Sequence, residues 1–151
     1  YWTKHTNYEQ ANHIPLIIVA PGLSEAGSST DQLTETVDIY PTLTELAEIG
    51  KPIVPQPIDG LSLIPVIKNP EKQIRNHAYH AYPHGKYIGR AIRTDRYRLV
   101  EWKNRENKAD VVYELYDYTT DPLETKNIYN EQPKIATLLK KILATHPEAK
   151  N

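Results

Sequence analysis

The stretch Arg90-Ala91-Ile92-Arg93-Thr94-Asp95-Arg96-Tyr97-Arg98-Leu99-Val100-Glu101 decides how the second half of the chain folds. Strand-like alternation of side chains lies on both sides of Asp95-Arg96, which is the pattern of two strands joined by a tight turn. The alternation continues in both directions from this hairpin. It predicts an antiparallel sheet of four strands, at residues 76–82, 88–94, 96–103 and 111–117.

A helix is expected to follow the sheet. Asp121-Pro122 interrupts the last strand, and Pro133 stands at the start of a segment with helical spacing. Its apolar residues form one stripe, at Ile135, Leu138, Leu139, Ile142 and Leu143. We therefore predict that a terminal amphipathic helix covers the four-stranded sheet.

The first half contains one continuous apolar run, Ile14-Pro15-Leu16-Ile17-Ile18-Val19-Ala20, which ends at Pro21-Gly22. A short buried helical turn has the same length, but β-branched residues and the Pro-Gly stop favour a strand that is buried on both faces. Such a strand needs neighbouring strands, and this chain hardly provides them. We therefore expect the isolated chain to expose it.

A packing helix is predicted next, because Ile39, Leu43, Leu46 and Ala47 share one stripe before Gly50. The apolar segment 60–67 is expected to dock on the same layer. Tyrosine and arginine become frequent after Pro70. The predicted domains are accordingly residues 1–72, an α/β portion, and residues 73–151, a small α+β subdomain.

Composition limits the possible functions. Eighteen Lys and Arg against nineteen Asp and Glu leave a net charge of −1, so no global field favours nucleic acid or an anionic membrane. No apolar run approaches the roughly 20 residues of a membrane helix. The 151 residues include no cysteine, which excludes disulfides and thiol chemistry within the chain, and no methionine, which suggests the C-terminal piece of a longer polypeptide.

Two segments carry candidate site residues. Lys4 stands between Trp2 and His5, which suits a fixed cation for an anionic substrate, although by spacing alone a solvated lysine is the alternative. His84 lies in a Pro-His-Gly loop after the first predicted strand, where its imidazole suits sulfate or carboxylate groups. The alternative for His84 is an ordinary surface hairpin.

Metal and nucleic-acid sites are not favoured by the spacing. His5 and His13 are eight residues apart without a third ligand between them. The acidic residues after the last strand lack the spacing of an EF-hand and suit a turn instead. The arginines of the central hairpin are offset by nearby carboxylates, and we expect Arg93 to pair with a local one.

The order of several segments resembles the C-terminal third of a type I sulfatase. The matching segments are Trp2 to Glu9, His13 to Ile17, Pro21-Gly22, Thr36 to Leu43, Asp59 to Leu63, Ile92 to Arg98, Glu114 to Asp117 and Asp121 to Asn127. Within the family the chain is most similar to iduronate-2-sulfatase-like enzymes, because Trp2 to Lys4, His13 to Ile17 and Tyr82-Pro83 have counterparts there. The resemblance covers nearly the whole chain.

The resemblance implies a fold and a chemistry. The fold would be the C-terminal portion of an alkaline-phosphatase-like α/β/α core followed by the small antiparallel sheet and helix. The activity would be hydrolysis of sulfate esters of a sugar or glycan, with Ca²⁺ and formylglycine in the full-length enzyme and neither held by this chain. The upstream sulfatase domain would be the partner, and a periplasmic, secreted or lysosomal location is the family expectation.

Three positions carry roles by this resemblance. Lys4 matches the lysine that contacts the sulfate group, so it is the predicted catalytic residue. His5 and His84 are predicted to bind substrate. The isolated chain is expected to be inactive, because the nucleophile and the calcium ligands would lie upstream of Tyr1.

Two other functions stay open on the sequence. One is a phosphatase or phosphodiesterase of the same superfamily, which would share the core but differ in its upstream nucleophile. The other is a non-catalytic module that binds anions or glycans through the histidine-rich and tyrosine-rich segment 77–87.

Overall fold

The structure is a computed structural model that describes residues 6–50 and 55–148. Its contacts divide the chain into two compact units. One unit contains the N-terminal residues up to Pro15 together with the chain from Tyr79 onward, and the other spans Leu16–Ala78.

The first unit is built on an antiparallel sheet. Its strands are β1 (Ala78–His84), β2 (Tyr87–Arg93), β3 (Tyr97–Asn104) and β4 (Val111–Asp117), in that spatial order. The central hairpin closes where the Thr94 N–H donates to the Tyr97 carbonyl at 2.8 Å, around Asp95-Arg96. The predicted strands and turn are confirmed, with strand ends that differ by no more than two residues.

One face of the sheet is covered by a helix that runs from Pro133 to Leu143. The shared core consists of Ile92, Leu99, Leu115, Ala136, Leu139 and Leu143. The predicted terminal helix is confirmed, but Leu138 is 56% exposed, so its place in the stripe is wrong. It precedes Leu139 by one residue, which turns its side chain about 100° away from the sheet.

The N-terminal segment covers the other face. Ile92 and Leu99 pair across β2 and β3 and join the core, so their neighbours Arg93 and Arg98, which also pair, face the opposite side. A four-residue helix, α1 (Glu9–Asn12), lies on that side and is held by ion pairs to these two arginines. The helices that follow along the chain are α2 (Ile39–Leu46), α3 (Ile64–Lys68) and the terminal α4 (Pro133–Leu143).

Within the second unit, α2 packs through polar groups. Asp38, which precedes α2, is fully buried; it accepts the Leu61 N–H at 2.8 Å and forms an ion pair with Arg75. Thr42 accepts the Leu63 N–H at 2.8 Å, so the segment 60–67 docks on α2 as predicted. Gly60 is required at this contact, because a Cβ there would lie 2.0 Å from the Val37 carbonyl oxygen.

The predicted inward stripe of α2 is wrong in this chain. Ile39 is 36% exposed and Leu43 is 56% exposed, whereas the buried side chains belong to Asp38 and Thr42. The spacing of the apolar residues is correct, but Ile39 and Leu43 do not join a buried core among the described residues.

The apolar run 14–20 is also not a strand in this structure. Ile17 is 86% exposed and Val19 is 85% exposed, and neither is part of a sheet. The strand does not form because its backbone groups have no neighbouring strand to pair with. The expectation that the isolated chain exposes this run is confirmed. Among the described helices, none has the length and apolar character needed to cross a bilayer.

Candidate functional site

The predicted site residues fall in two places. Lys4 and His5 lie outside the described residues, and the described chain begins two residues after Lys4, at Thr6. His84 is described and stands at the end of β1. The geometry around Thr6 and around His84 therefore defines the candidate site.

His84 is exposed, and its ring lies against Trp102 of β3. The two ring centroids are 6.0 Å apart in an edge-on arrangement. The chain reverses directly after it through Gly85, whose φ of 56° lies in the left-handed region that favours glycine. This turn is braced by Arg105, whose backbone N–H donates to the Lys86 carbonyl at 2.9 Å.

Trp102 connects this turn to the N-terminal segment. Its partner across the hairpin is Gly89, and a Cβ at Gly89 would lie 2.1 Å from the Asn7 amide nitrogen and 2.5 Å from the Trp102 ring. Asn7 and Trp102 therefore both border the space that glycine leaves open. The structure brings His84 and the residues directly after Lys4 and His5 to the same face of the sheet.

This face contains two buried polar side chains without partners among the described residues. They are the Asn7 amide, in a residue only 2% exposed, and Nε2 of His80. Burial lowers the pKa of His80, and the charge of Arg98 lowers it further. His80 is therefore neutral on this face around neutral pH, and one of its nitrogens is an acceptor.

Arg98 anchors the N-terminal segment to β3. The arginine is 2% exposed, and its guanidinium donates to the Asn7 carbonyl and to the Tyr118 hydroxyl, the latter at 2.7 Å. It forms ion pairs with Glu9 and with Glu124, the latter at 2.7 Å. Two carboxylates from distant parts of the chain thus share one buried cation.

Further bonds close the network. Arg93 reaches both Glu9 oxygens at 3.1 Å, and the Glu9 N–H donates to Glu124 at 2.8 Å. Tyr118 donates to Glu124 at 2.6 Å, beneath the Arg93 guanidinium, which lies 4.0 Å from the centre of its ring. We call these residues, Arg98, Glu9, Glu124, Arg93 and Tyr118, the Arg98 cluster.

The pKa values of the cluster follow from its burial and charges. Burial acts to raise the pKa of Glu9, but hydrogen bonds and the charges of Arg93 and Arg98 outweigh it and hold that pKa below its ordinary value. Burial acts to lower the pKa of Arg98, yet Tyr118 and the carboxylates of Glu124 and Glu9 raise it overall. Glu9 is therefore a carboxylate and Arg98 a guanidinium cation at neutral pH.

Sequence reasoning missed this cluster. It predicted that Arg93 pairs with a local carboxylate, which is wrong, because its partner Glu9 lies 84 residues away in the sequence. Two other arginines pair within the sheet, Arg96 with Asp117 at 2.8 Å and Arg90 with Glu101 at 2.6 Å. The partners of Arg98, Glu9 and Glu124, likewise lie 89 and 26 residues away in the sequence. The hint in the sequence is an arginine directly before the apolar pair Leu99-Val100 in a predicted strand.

The described residues do not fit the cofactors that the resemblance implies. They contain no group of three or more histidine, cysteine or acidic residues that could hold a metal ion. The chain has no cysteine from which formylglycine could be made. Asp117, Asp121 and Glu124 are each engaged by a cation or a backbone N–H of the chain.

Curated relatives of the chain are sulfatases. An N-acetylglucosamine-6-O-sulfatase of Bacteroides thetaiotaomicron is 31% identical over 139 residues, which are 87% of this chain and 24% of that protein. Arylsulfatase K of Homo sapiens is 30% identical over 141 residues, 87% of this chain and 25% of that protein. The chain thus spans about a quarter of the length of these relatives.

Solved structures agree with the fold. A protein solved in complex with its substrate D-glucosamine-2-N,6-O-disulfate has a TM-score of 0.70 at 30% identity, over 83% of this chain and 26% of that one. The phosphonate monoester hydrolase of Agrobacterium radiobacter has a TM-score of 0.60 at 23% identity, over 79% of this chain and 26% of that one, which shows the fold alone.

The predicted fold class is confirmed, since sulfatases of alkaline-phosphatase-like fold are among the structural neighbours. The narrower resemblance to iduronate-2-sulfatase-like enzymes stays a prediction, because these relatives are named for other sulfates. The family described as N-sulphoglucosamine sulphohydrolase, C-terminal, matches residues 1–149. The chain therefore belongs to the sulfatase family, as a member of that group of C-terminal domains.

Proposed function

We propose that this chain is the C-terminal part of an enzyme that hydrolyses sulfate esters of a sugar or glycan. The observation that carries the proposal is the position of Trp102, which borders both His84 and Asn7. The loop at His84 and Asn7, which follows Lys4-His5 closely in the sequence, thereby belong to one face of the sheet.

In this proposal Lys4 is the catalytic residue of the chain. Hydrolysis of a sulfate ester breaks the bond between sulfur and the ester oxygen, and negative charge develops on that oxygen and on the sulfuryl group. A positioned ammonium group stabilises this charge in a water-poor site. His5 and His84 contact the substrate beside it, since imidazole nitrogens suit sulfate oxygens.

The substrate is proposed to be a sulfated carbohydrate. One relative is named for N-acetylglucosamine 6-O-sulfate, and one solved neighbour holds a disulfated glucosamine as its substrate. These names support an amino sugar as the first candidate to test. The nucleophile, as formylglycine, and the Ca²⁺ ligands are proposed to come from the rest of the enzyme.

The catalytic role of Lys4 is tested in the full-length protein. Replacement Lys4→Ala is expected to lower kcat on an aryl sulfate by about 10²- to 10³-fold, the usual cost of losing one group that stabilises transition-state charge. Lys126→Ala is the matched control, because Lys126 is an exposed lysine paired with Glu131, and its kcat should not change. Undiminished activity in Lys4→Ala, or activity in the isolated chain, would refute the proposal.

We also propose that residues 1–72 complete the α/β core of the full-length enzyme. Eleven of the large apolar side chains that are exposed among the described residues lie between Ile14 and Leu61, and Ile17 and Val19 are the most exposed of them. A large exposed apolar surface usually marks a place where a protein contacts another chain or domain. The relatives, about four times longer, have the chain length needed to cover it.

This docking predicts a difference in amide hydrogen exchange. The amides of Ile17, Ile18 and Val19 should exchange at nearly the rate of free peptide in the isolated chain. In the full-length protein they should be protected by at least about 10³-fold, because a strand in a buried sheet opens only with global unfolding. The amides of Leu99 and Val100 are the control and should be protected in both proteins, because β3 already lies between β2 and β4 in the sheet. Equal exchange of residues 17–19 in the two proteins would contradict the docking.

The second candidate function is phosphoryl or phosphonate ester hydrolysis. It is favoured by the fold likeness to a phosphonate monoester hydrolase, which shows that this architecture serves both ester classes. The ratio of kcat/KM for matched aryl sulfate and aryl phosphonate esters decides between the two. The proposal requires the sulfate ester to be preferred.

A further inference from the structure

The Arg98 cluster places charged groups in the protein interior, where losing contact with water costs free energy. It buries one arginine almost completely, at 2% exposed, and draws Glu9 and Glu124 from opposite ends of the chain onto it. Well-packed apolar residues of the same volume generally stabilise a fold as well as a buried ion pair does. The cluster therefore calls for a role other than stability.

Two further unfavourable features meet at the same residues. Glu124 adopts a φ of 56°, in the left-handed region that non-glycine residues seldom occupy. Asn7, whose carbonyl oxygen Arg98 binds, has a buried side-chain amide without a partner among the described residues. Local rules are usually broken together at functional sites, where the surrounding structure maintains them.

The cluster holds the N-terminal segment in one place. Its bonds reach the Asn7 carbonyl, the Glu9 N–H and both Glu9 carboxylate oxygens, from β2, from β3 and from the turn after β4. Lys4 precedes Asn7 by three residues, and three residues span at most about 10 Å of chain. The segment is thus anchored within a short reach of Lys4.

We propose that Glu9 and Arg98 are positioning residues for Lys4, which they act on by fixing the backbone at Asn7–Glu9. The inference rests on the proposed function, in which the Lys4 ammonium stabilises charge in the transition state. A catalytic group displaced by about 1 Å loses up to about 10²-fold in rate. Glu9 and Arg98 do not themselves contact the substrate.

The same sheet offers a matched control for this role. Arg90 and Glu101 form an ion pair at 2.6 Å between β2 and β3, and Glu101 also accepts the Tyr113 hydroxyl at 2.9 Å. Both residues of this pair are buried, at 8% and 9% exposed. They lie on the α4 side of the sheet, opposite the face that the segment 6–12 covers.

The test uses the full-length enzyme and an aryl sulfate. Glu9→Gln keeps the shape of the side chain and removes its charge; it is expected to lower kcat about 10- to 100-fold with KM little changed, since the loss concerns the transition state. Glu101→Gln should leave kcat unchanged, even if it lowers the unfolding temperature as much as Glu9→Gln does. In the Lys4→Ala background, Glu9→Gln should cause no further loss, because it acts through Lys4.

Three results would overturn the inference: an unchanged kcat in Glu9→Gln, an equal loss in Glu101→Gln, or losses from Glu9 and Lys4 that multiply. Should Glu9→Gln fail to fold, Arg93→Gln keeps the Glu9–Arg98 pair and is expected to lower kcat in the same direction. The proposed function fails separately, when the parent enzyme does not cleave the ester or Lys4→Ala leaves kcat unchanged. The positioning role alone fails when Lys4→Ala lowers kcat and Glu9→Gln and Arg93→Gln do not.

Discussion

Replacement of Arg98 by methionine is expected to lower the free energy of unfolding of the sheet unit by about 3–5 kcal/mol. The reason is the charge that remains, since Glu9 and Glu124 keep their carboxylates in place while their shared cation is gone. Glu124 is itself only 8% exposed, so water cannot replace the guanidinium. Hydrogen exchange at the Leu99 and Val100 amides measures the change, because amides in a central strand exchange through global opening.

The control is Arg96→Met, two residues earlier. The Arg96 side chain is 53% exposed, and its partner Asp117 keeps a hydrogen bond of 2.6 Å from the Thr119 hydroxyl when the arginine is lost. An exposed pair of this kind contributes about 1 kcal/mol or less. Equal losses in the two variants would show that the burial of Arg98 has no energetic consequence.

The Arg98 effect should also depend on pH in a definite direction. The pKa of Glu9 is lowered in the folded chain from its ordinary 4.5. Its contribution to stability is therefore complete above about pH 4.5 and is lost as the pH falls through the lower, folded-state pKa. The difference between Arg98→Met and the parent chain should shrink in that acid range and not above it.

Replacement of Leu139 by alanine is expected to cost about 2–5 kcal/mol. Leu139 is 2% exposed in α4 and packs on Ile92, Leu99 and Leu115. Truncation removes apolar contacts and leaves a cavity between α4 and the sheet, which neighbouring side chains refill only in part. Hydrogen exchange at the Leu99 amide measures this loss in the free energy of unfolding.

The adjacent residue provides the comparison. Leu138→Ala is the identical substitution in the same helix, so the change in helix propensity is the same, but Leu138 is 56% exposed. It should change the free energy of unfolding by no more than about 0.5 kcal/mol. A similar loss in both variants would mean that the face of α4 on the sheet is not the one described.

The sheet and the helix that covers it, residues 78–143, were largely predictable from sequence. Alternation around Asp95-Arg96 predicted the hairpin and its neighbouring strands, and helical spacing after Pro133 predicted α4. These patterns succeed because the strands and the helix that bury one another all lie within residues 78–143. Leu138 is the exception. It lies at the edge of the apolar stripe, and spacing alone does not decide whether a residue at the edge faces the sheet or the solvent.

The first half was predictable only in part. The apolar character of Ile17, Val19, Ile39 and Leu43 was evident, but the strand and the inward helix face that it suggested are not formed. Periodicity reports which side chains avoid water and not what they pack against. Under the proposed docking, the packing partner belongs to the rest of the enzyme, and the same pattern therefore appears here as exposed surface.

For the candidate site, sequence alone established the family resemblance and, through it, singled out Lys4, His5 and His84, because the order of matching segments can be compared without knowing which residues meet in space. It did not reveal that Trp102 borders both His84 and Asn7, or that Glu9, Arg98 and Glu124 meet. These contacts join residues that are far apart in the chain. They arise from the register of the sheet and from the path of the N-terminal segment across it, which a local pattern does not encode.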